Sequence, residues 1–440
     1  MGIRITIIGG GSSTFVPQLM RLFLGSKVLA GGTIVLMDVD AQRLEVMDRL
    51  CRLLVESQGA DLAIESTQNR REALAGANYV ITAISVGGMD AWEQDIEIPA
   101  RYGVTMAIAD SVGPGGIMRA LRHIPVLAGM VDDVAEVAPD AWVFNYSNPL
   151  SSIVTALTRH RPEVKTVGLC TCVSIPRNAA YLANWAGVAP DALALPAPGG
   201  GLNHCAFMTD LRLTDGSPVF PRILERTELP VVRWALEQYG LLPYCWSHVT
   251  EFFPSLSVLA EPYEGMLQGL EMKYGLHVHA MAHERERGEH WATLANEWAA
   301  GTPDDVSLDV LPGAEAIEVV EIIEALATGE NTLVGVNMPN RGAIANLPDD
   351  AIIEATSLVG AYGIRPIQLG VFPEALAAIW RQHITVQQLT AEAALTGDYG
   401  TLRQAFSADP QVQARLSMDD IEPLLRELMA AHADHLPQFE

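Results

Sequence analysis

Apolar positions over the first 170 residues follow two alternating rhythms. Short β-branched runs at 5–8, 33–37, 79–85, 142–145 and 164–169 read as buried strands. Between them apolar residues recur every three or four positions, the period of one helix face. That period predicts helices at 12–25, 40–58, around 99–102 and at 116–136. Strands alternating with helices specify a doubly wound parallel sheet, so the expected class is α/β. Beyond about residue 172 the rhythm changes: helices are read at 284–298, 313–328 and 373–396, the last with a short helical tail. Candidate strands lie at 334–340 and 351–356, and Pro198-Gly199-Gly200-Gly201 reads as a loop entering LNHCAF. The division expected is a Rossmann-type unit over 1–195 and an α+β unit over 196–440.

The first strand–helix–strand unit carries chemistry. Its strand runs into Gly9, Gly10 and Gly11, then Ser12, Ser13 and Thr14, and its second strand ends at Asp38. Glycines at the turn let a backbone approach a pyrophosphate, and the following helix N-terminus supplies amides and a favourable dipole. Asp38 is in register to accept both ribose hydroxyls, and no adjacent arginine offers a partner for a 2′-phosphate. The expected nucleotide is therefore NAD. Thr14 stands where the third glycine of the fingerprint would fall. Val86 and Gly87 follow the third strand of the pattern, Asn145 ends the next and Cys170 follows the last. Ligands of open α/β sheets bind at these carboxyl ends, so the positions are expected to share one site.

Composition narrows the partners. The 440 residues are 49% apolar and 18% charged, enough for a large core, and the net charge of −25 disfavours nucleic acid and anionic membranes. No apolar run reaches the roughly 18 residues of a membrane span. Five cysteines (Cys51, Cys170, Cys172, Cys205, Cys245) in so long a chain suit reduced thiols, and the expected location is the cytoplasm. Base rates favour a homodimer or homotetramer.

The stretches IIGGGSSTFVP, LMDVD, VGGMDAWEQDIEIPARYGV, GPGGIMRALRHIPV, NYSNP, VGLC, GLNH, HVTEFFP and VNMPNRGAIANLPDDAIIE occur in order across the chain. Together they resemble glycoside hydrolase family 4, or a diverged sister group such as the NAD-dependent sulfoquinovosidases. The resemblance implies a fold of the lactate/malate-dehydrogenase-like superfamily, with substrate binding, catalysis and oligomerisation in the second unit. It implies glycoside cleavage by transient oxidation at sugar carbon 3, loss of the carbon 2 proton, elimination, water addition and re-reduction. It also implies a divalent metal, usually manganese, held by Cys170 of VGLC and His204 of GLNH, with Asn148 of NYSNP and Asn203 contacting the sugar.

The chain departs from the family pattern in four places. Trp92 stands where relatives often carry arginine, and Ala109-Asp110-Ser111 where they often carry Gln-Glu-Thr. Thr171-Cys172-Val173 follows the metal cysteine, and Tyr244-Cys245-Trp246-Ser247-His248 replaces a tyrosine-rich stretch. Asp110 and His248 are the candidates for proton transfer. These departures disfavour a phosphosugar and leave a neutral or anionic α-glycoside: an α-galactoside, a glucuronide or galacturonide, or a sulfoquinovoside. An anionic sugar needs a cationic pocket, for which Arg101, Lys165, Arg177, Lys273 and Arg341 are available. The histidines at 277, 279 and 283 have a spacing that can bind metal, though a solvated helix face explains them as well. The alternative reading is an NAD-dependent 2-hydroxyacid or sugar dehydrogenase.

Overall fold

The computed structural model describes residues 2–170, 175–262, 265, 271–274, 276–277, 281–308 and 318–439, with backbone alone at 175–178, 276–277 and 281–284. Six strands of the first half pair in parallel: β1 (Arg4–Ile8), β2 (Gly32–Met37), β3 (Leu62–Thr67), β4 (Tyr79–Thr82), β5 (Trp142–Asn145) and β6 (Lys165–Gly168). Their order is β3-β2-β1-β4-β5-β6, the doubly wound arrangement. The order reverses between β1 and β4, which opens a crevice at their carboxyl ends.

The second half contributes β7 (Gly199–Leu202), β8 (Cys205–Met208), β9 (Leu242–Pro243), a separate ribbon of β10 (Glu271–Met272) and β11 (Leu276–His277), then β12 (Thr332–Pro339), β13 (Ile352–Gly360) and β14 (Gly363–Pro366). Strand β12 joins β6 antiparallel, so the sheet continues through β12-β13-β7-β8-β9. Gly168, Asn337, Glu354 and Gly201 lie side by side on β6, β12, β13 and β7. That shared level carries Cys170, just past β6, towards His204, just past β7.

Burial explains the layers. On β1 and β2, Ile5, Ile7, Ile34 and Leu36 face one layer with Leu19 and Phe23. Val35, Val80 and Val143 face the other, against Ile117, Leu121 and Ile124 of the helix Gly113–Val137. Burying each such side chain contributes about 1.5–3 kcal/mol. A third core, around Phe207, Phe252 and Trp380, binds the β7–β8 hairpin to the helix Glu374–Thr396.

Three local expectations change. The first helix begins at Val16, not at Ser12, and Ser12 Oγ instead accepts from the Phe15 amide. Pro17 sits in the first turn, where its missing N–H is tolerated. The edge strand β3 and the short helix Arg70–Leu74 were not read from the pattern; β3 is mostly exposed, so its alternation is weak. The glycine run at 199–201 is a buried strand, not a loop. Side chains there would collide: a Cβ on Gly199 would lie 2.6 Å from the Tyr244 ring, and one on Gly201 2.7 Å from Trp380. Among the described residues no cysteine is paired, and no helix is long and apolar enough to cross a membrane. Thr171, Cys172, Val173, His279 and the side chains of Arg177, His277 and His283 lie outside the described residues.

Candidate active site

The glycine turn forms at the carboxyl end of β1. Gly9 and Gly10 donate to the Met37 carbonyl at 3.0 and 2.8 Å, which binds the turn to β2. Gly9 has φ +96, and a Cβ there would stand 2.3 Å from the Ala83 carbonyl oxygen. Asp38 Oδ2 accepts from the Gly11 amide at 2.9 Å, so the acid after β2 lies at the lip of the turn. Ser13 and Thr14 occupy the turn that leads into the helix Val16–Gly25. Val86 is held by His123, whose Nε2 accepts from the Val86 amide at 3.2 Å. Burial keeps His123 neutral, far below the usual imidazole range. Gly87, with φ +81, caps the helix Gly88–Arg101. This backbone cradle, closed to side chains at Gly9 and carrying an acid at its edge, fits a dinucleotide.

A second cluster lies at the neighbouring strand ends. After β5, Asn145 folds the NYSNP turn by accepting from Thr82 Oγ1 and the Ser147 amide and donating to the Ser147 carbonyl. The turn presents Asn148, whose Nδ2 donates to Asp110 Oδ2 at 2.8 Å. Ser111 Oγ donates to Asp110 Oδ1 at 2.7 Å and lies 2.9 Å from His204 Nδ1. His204 occupies the two-residue turn between β7 and β8 with φ +65, a left-handed conformation that histidine tolerates better than most residues. Its ring is 4.0 Å from that of His248, centroid to centroid. The Cys170 thiol is in hydrogen-bonding contact with His204. Ligand atoms of Asp110, His204 and His248 all lie within 4.8 Å of one another. Two imidazoles and a carboxylate that converge, with the Cys170 thiol against His204, are donors that fit a first-row divalent metal.

Electrostatics set the protonation states. Burial raises the Asp110 carboxyl, but His204, His248 and Arg119 outweigh it and hold it below the usual carboxylate range. Burial and the neighbouring His248 lower His204, and Cys170 and Asp110 more than reverse this. Burial also opposes charge on His248, yet the Cys245 sulfur 3.0 Å from its Nδ1, with Asp110 and Glu251, pushes it up to about 10. Buried groups outside the candidate set complete the surroundings. Glu251 Oε1 accepts from the amides of Ile108 and Ala109 at 2.6 and 3.2 Å, bracing Ala109 at φ +51 beside Asp110. Arg119 donates to the Asn148 carbonyl at 3.2 Å and stacks over Trp92 at 5.6 Å. Glu354 Oε1 accepts from Asn203 at 3.2 Å and Asn337 at 2.8 Å, and burial pushes its carboxyl well up. A lone acid inside the apolar runs TEFF and AIIEAT was the available signal for Glu251 and Glu354.

Three of the cations considered for an anionic sugar have other partners. Arg101 pairs with Glu427, Lys165 donates to the Asp140 carbonyl, and Lys273 stacks over Tyr274.

Two family descriptions match the chain: family 4 glycosyl hydrolase over residues 4–178, and the family 4 glycosyl hydrolase C-terminal domain over 200–412. The chain belongs to family 4 of the glycosyl hydrolases. This family 4 hydrolase is 33% identical to an alpha-galactosidase of Bacillus subtilis over 99% of its own length and 100% of the relative's. It is 30% identical to an alpha-glucosidase of Erwinia rhapontici, covering 93% and 94%. The crystal structure of glucosidase lplD from Bacillus subtilis superposes with a TM-score of 0.83 at 26% identity, over 97% and 99%. Malate dehydrogenase from Plasmodium falciparum superposes at 0.51 with 13% identity, covering 91% and 99%, and shares the fold alone. The α/β class expected from the sequence therefore holds, with a fold similar to that of malate dehydrogenase.

Proposed function

We propose that this family 4 hydrolase is an NAD-dependent α-glycosidase for a non-phosphorylated hexoside, with an α-galactoside as the first candidate. The observation that carries the reading is the Asp110–Asn148 and Cys170–His204 cluster at the strand ends beside the glycine turn. Related structures were solved with NAD and with Mn2+. Bound NAD would supply reversible hydride acceptance at sugar carbon 3, and a divalent metal would supply Lewis-acid polarisation of the carbon 2 and carbon 3 oxygens.

The chain's own residues divide the remaining work. Gly9, Gly10, Gly11, Ser12, Ser13 and Thr14 receive the pyrophosphate, Asp38 the adenosine ribose, and Val86 and Gly87 line the nicotinamide side. Cys170 and His204 hold the metal. Asn148 and Asn203 orient sugar hydroxyls, each fixed from behind by a carboxyl group, Asp110 and Glu354. Asp110 stays ionised and takes the carbon 2 proton on a carboxylate oxygen. His248 is the weaker candidate for that role, because its Nδ1 is already engaged by Cys245 and Ser247.

Arg122 is paired with Asp95, and Arg119 lies beside Asp110. Relatives named alpha-galactosidase and alpha-glucosidase support the choice of a neutral sugar, while others are named alpha-galacturonidase and 6-phospho-beta-glucosidase. The test is turnover of aryl α-galactosides, α-glucosides, uronides and sulfoquinovosides in deuterated water, with and without NAD and Mn2+. Deuterium at carbon 2 of the product and dependence on substoichiometric NAD are expected. Hydrolysis without either would overturn the reading, and net consumption of NAD with a hydroxyacid would support a dehydrogenase instead.

A further inference from the structure

Two imidazoles sit face to face in this site, and both have one nitrogen committed. His204 Nδ1 is engaged by Ser111 Oγ at 2.9 Å. His248 Nδ1 is engaged by Cys245 Sγ and by Ser247 Oγ, each at 3.0 Å. Hydrogen bonds of this kind, from a neighbouring group to the far nitrogen of a ring, hold metal-binding histidines in orientation and tautomer. They leave Nε2 of each ring to meet a ligand. The rings lie 4.0 Å apart and tilt by 35°, and the ligand atoms of both, with one from Asp110, fall within 4.8 Å of one another. Asp110 contributes compensating charge, but its two oxygens already accept from Ser111 and Asn148.

We propose that His248 is a third protein ligand, so that Cys170, His204 and His248 together hold the metal before nucleotide or sugar arrives. The inference rests on the reading of Cys170 and His204 as metal ligands, and goes beyond it by drawing in the Cys245–Ser247–His248 segment. Ser247 and Cys245 then act as positioning residues for the His248 ring. Three donors on one side of an octahedral ion leave positions for the two sugar oxygens. The arrangement also removes His248 from proton transfer and leaves that role to Asp110. A thiolate with two imidazoles favours the later first-row metals, cobalt to zinc, over manganese in intrinsic affinity.

The test is direct binding of Co2+ to the full chain, stripped by chelator, without NAD or sugar. A near-ultraviolet thiolate charge-transfer band reports Cys170, and the visible bands report the number of donors. One Co2+ per chain is expected for the wild type. His248→Gln should weaken binding at least tenfold and change the visible bands while keeping the charge-transfer band. Ser247→Ala should weaken binding less, since it removes a support and not a donor. Pulsed electron paramagnetic resonance of the Mn2+ form should count two directly bound imidazole nitrogens in the wild type and one in His248→Gln, a measurement that also shows the variant is folded. Unchanged affinity and bands in His248→Gln, with Cys170→Ser and His204→Ala both impaired, would overturn this inference alone. Binding unaffected by all three substitutions, or none in the wild type, would overturn the metal reading as well.

Discussion

Asn148 Nδ2 donates to Asp110 Oδ2 at 2.8 Å, joining the turn after β5 to the segment before the helix Gly113–Val137. The bond ties the amide proposed to meet the sugar to a carboxylate held below the usual carboxylate range. If Asp110 takes the carbon 2 proton, Asp110→Asn removes the base but keeps the size and one hydrogen-bonding oxygen. The expected loss in kcat is about 10²–10⁴-fold with little change in KM. Carbon 2 exchange into deuterated water should fall by the same factor; equal exchange in variant and wild type would assign the base elsewhere.

Gly11 faces Asp38 so closely that a Cβ would lie 2.9 Å from Asp38 Oδ2 and 2.8 Å from Arg43 Cβ. Gly11→Ala should therefore displace Asp38, the acid proposed to bind the ribose. NAD affinity, followed by calorimetry, is expected to fall about tenfold or more, equivalent to ~1.4 kcal/mol. Gly11 is buried, so the unfolding midpoint is measured alongside, to separate a displaced Asp38 from a general loss of stability. An unaltered Kd for NAD would mean that Asp38 does not hold the nucleotide.

Asp95 and Arg122 form a bidentate pair at 2.9 and 2.6 Å with no side-chain exposure. Arg122 also reaches the Val86 carbonyl at 3.4 Å, so the pair braces the strand-end loop. Asp95→Ala leaves a buried guanidinium without its partner, at an expected cost of about 3–5 kcal/mol. Urea unfolding measures it, and a cost below 1 kcal/mol would show that water or another group replaces the carboxylate.

His383 is buried and donates Nε2–H to the Phe252 carbonyl at 2.9 Å, and burial lowers its pKa to about 4. The folded state therefore binds this proton less readily than the unfolded chain. Its effect is absent above the ordinary value near 6.5, and stability is lost as pH falls from there towards 4, to a limit of roughly 3 kcal/mol. Asp409 acts in the opposite sense: burial raises it to about 6, so its penalty is relieved over the same fall. Total stability mixes the two, and the informative quantity is the difference between wild type and His383→Gln. That difference should shift in favour of the variant as pH drops from 6.5 to 4; a difference constant with pH would show that His383 is not held neutral.

Much of the first half was legible in the linear pattern, because a doubly wound sheet writes itself locally. Each buried strand is a β-branched run, each helix shows its period, and the glycine turn with Asp38 sits inside one 40-residue unit. The strand Trp142–Asn145 was read with its observed bounds, and the helix 40–58 missed only its cap, Asp40. The second half was less legible. The glycine run at 199–201 looked like a loop, since nothing local says that Tyr244, Leu369 and Trp380 will crowd it into a strand.

For the site, the sequence by itself determined the types of group present: a nucleotide turn, Cys170, His204, Asn148 and Asp110, each at a strand end or in a motif. Tertiary structure decided their company. Register across β6, β12, β13 and β7 sets Gly168 and Gly201 at one level, and with them Cys170 and the turn after Leu202, which no spacing in the chain records. It also sets Arg119 beside Asp110, Glu251 under Ala109, and His248 against His204. Those pairings are separated by 9, 142 and 44 positions in the sequence, and they arise from burial and strand pairing, forces that act only once the chain is folded.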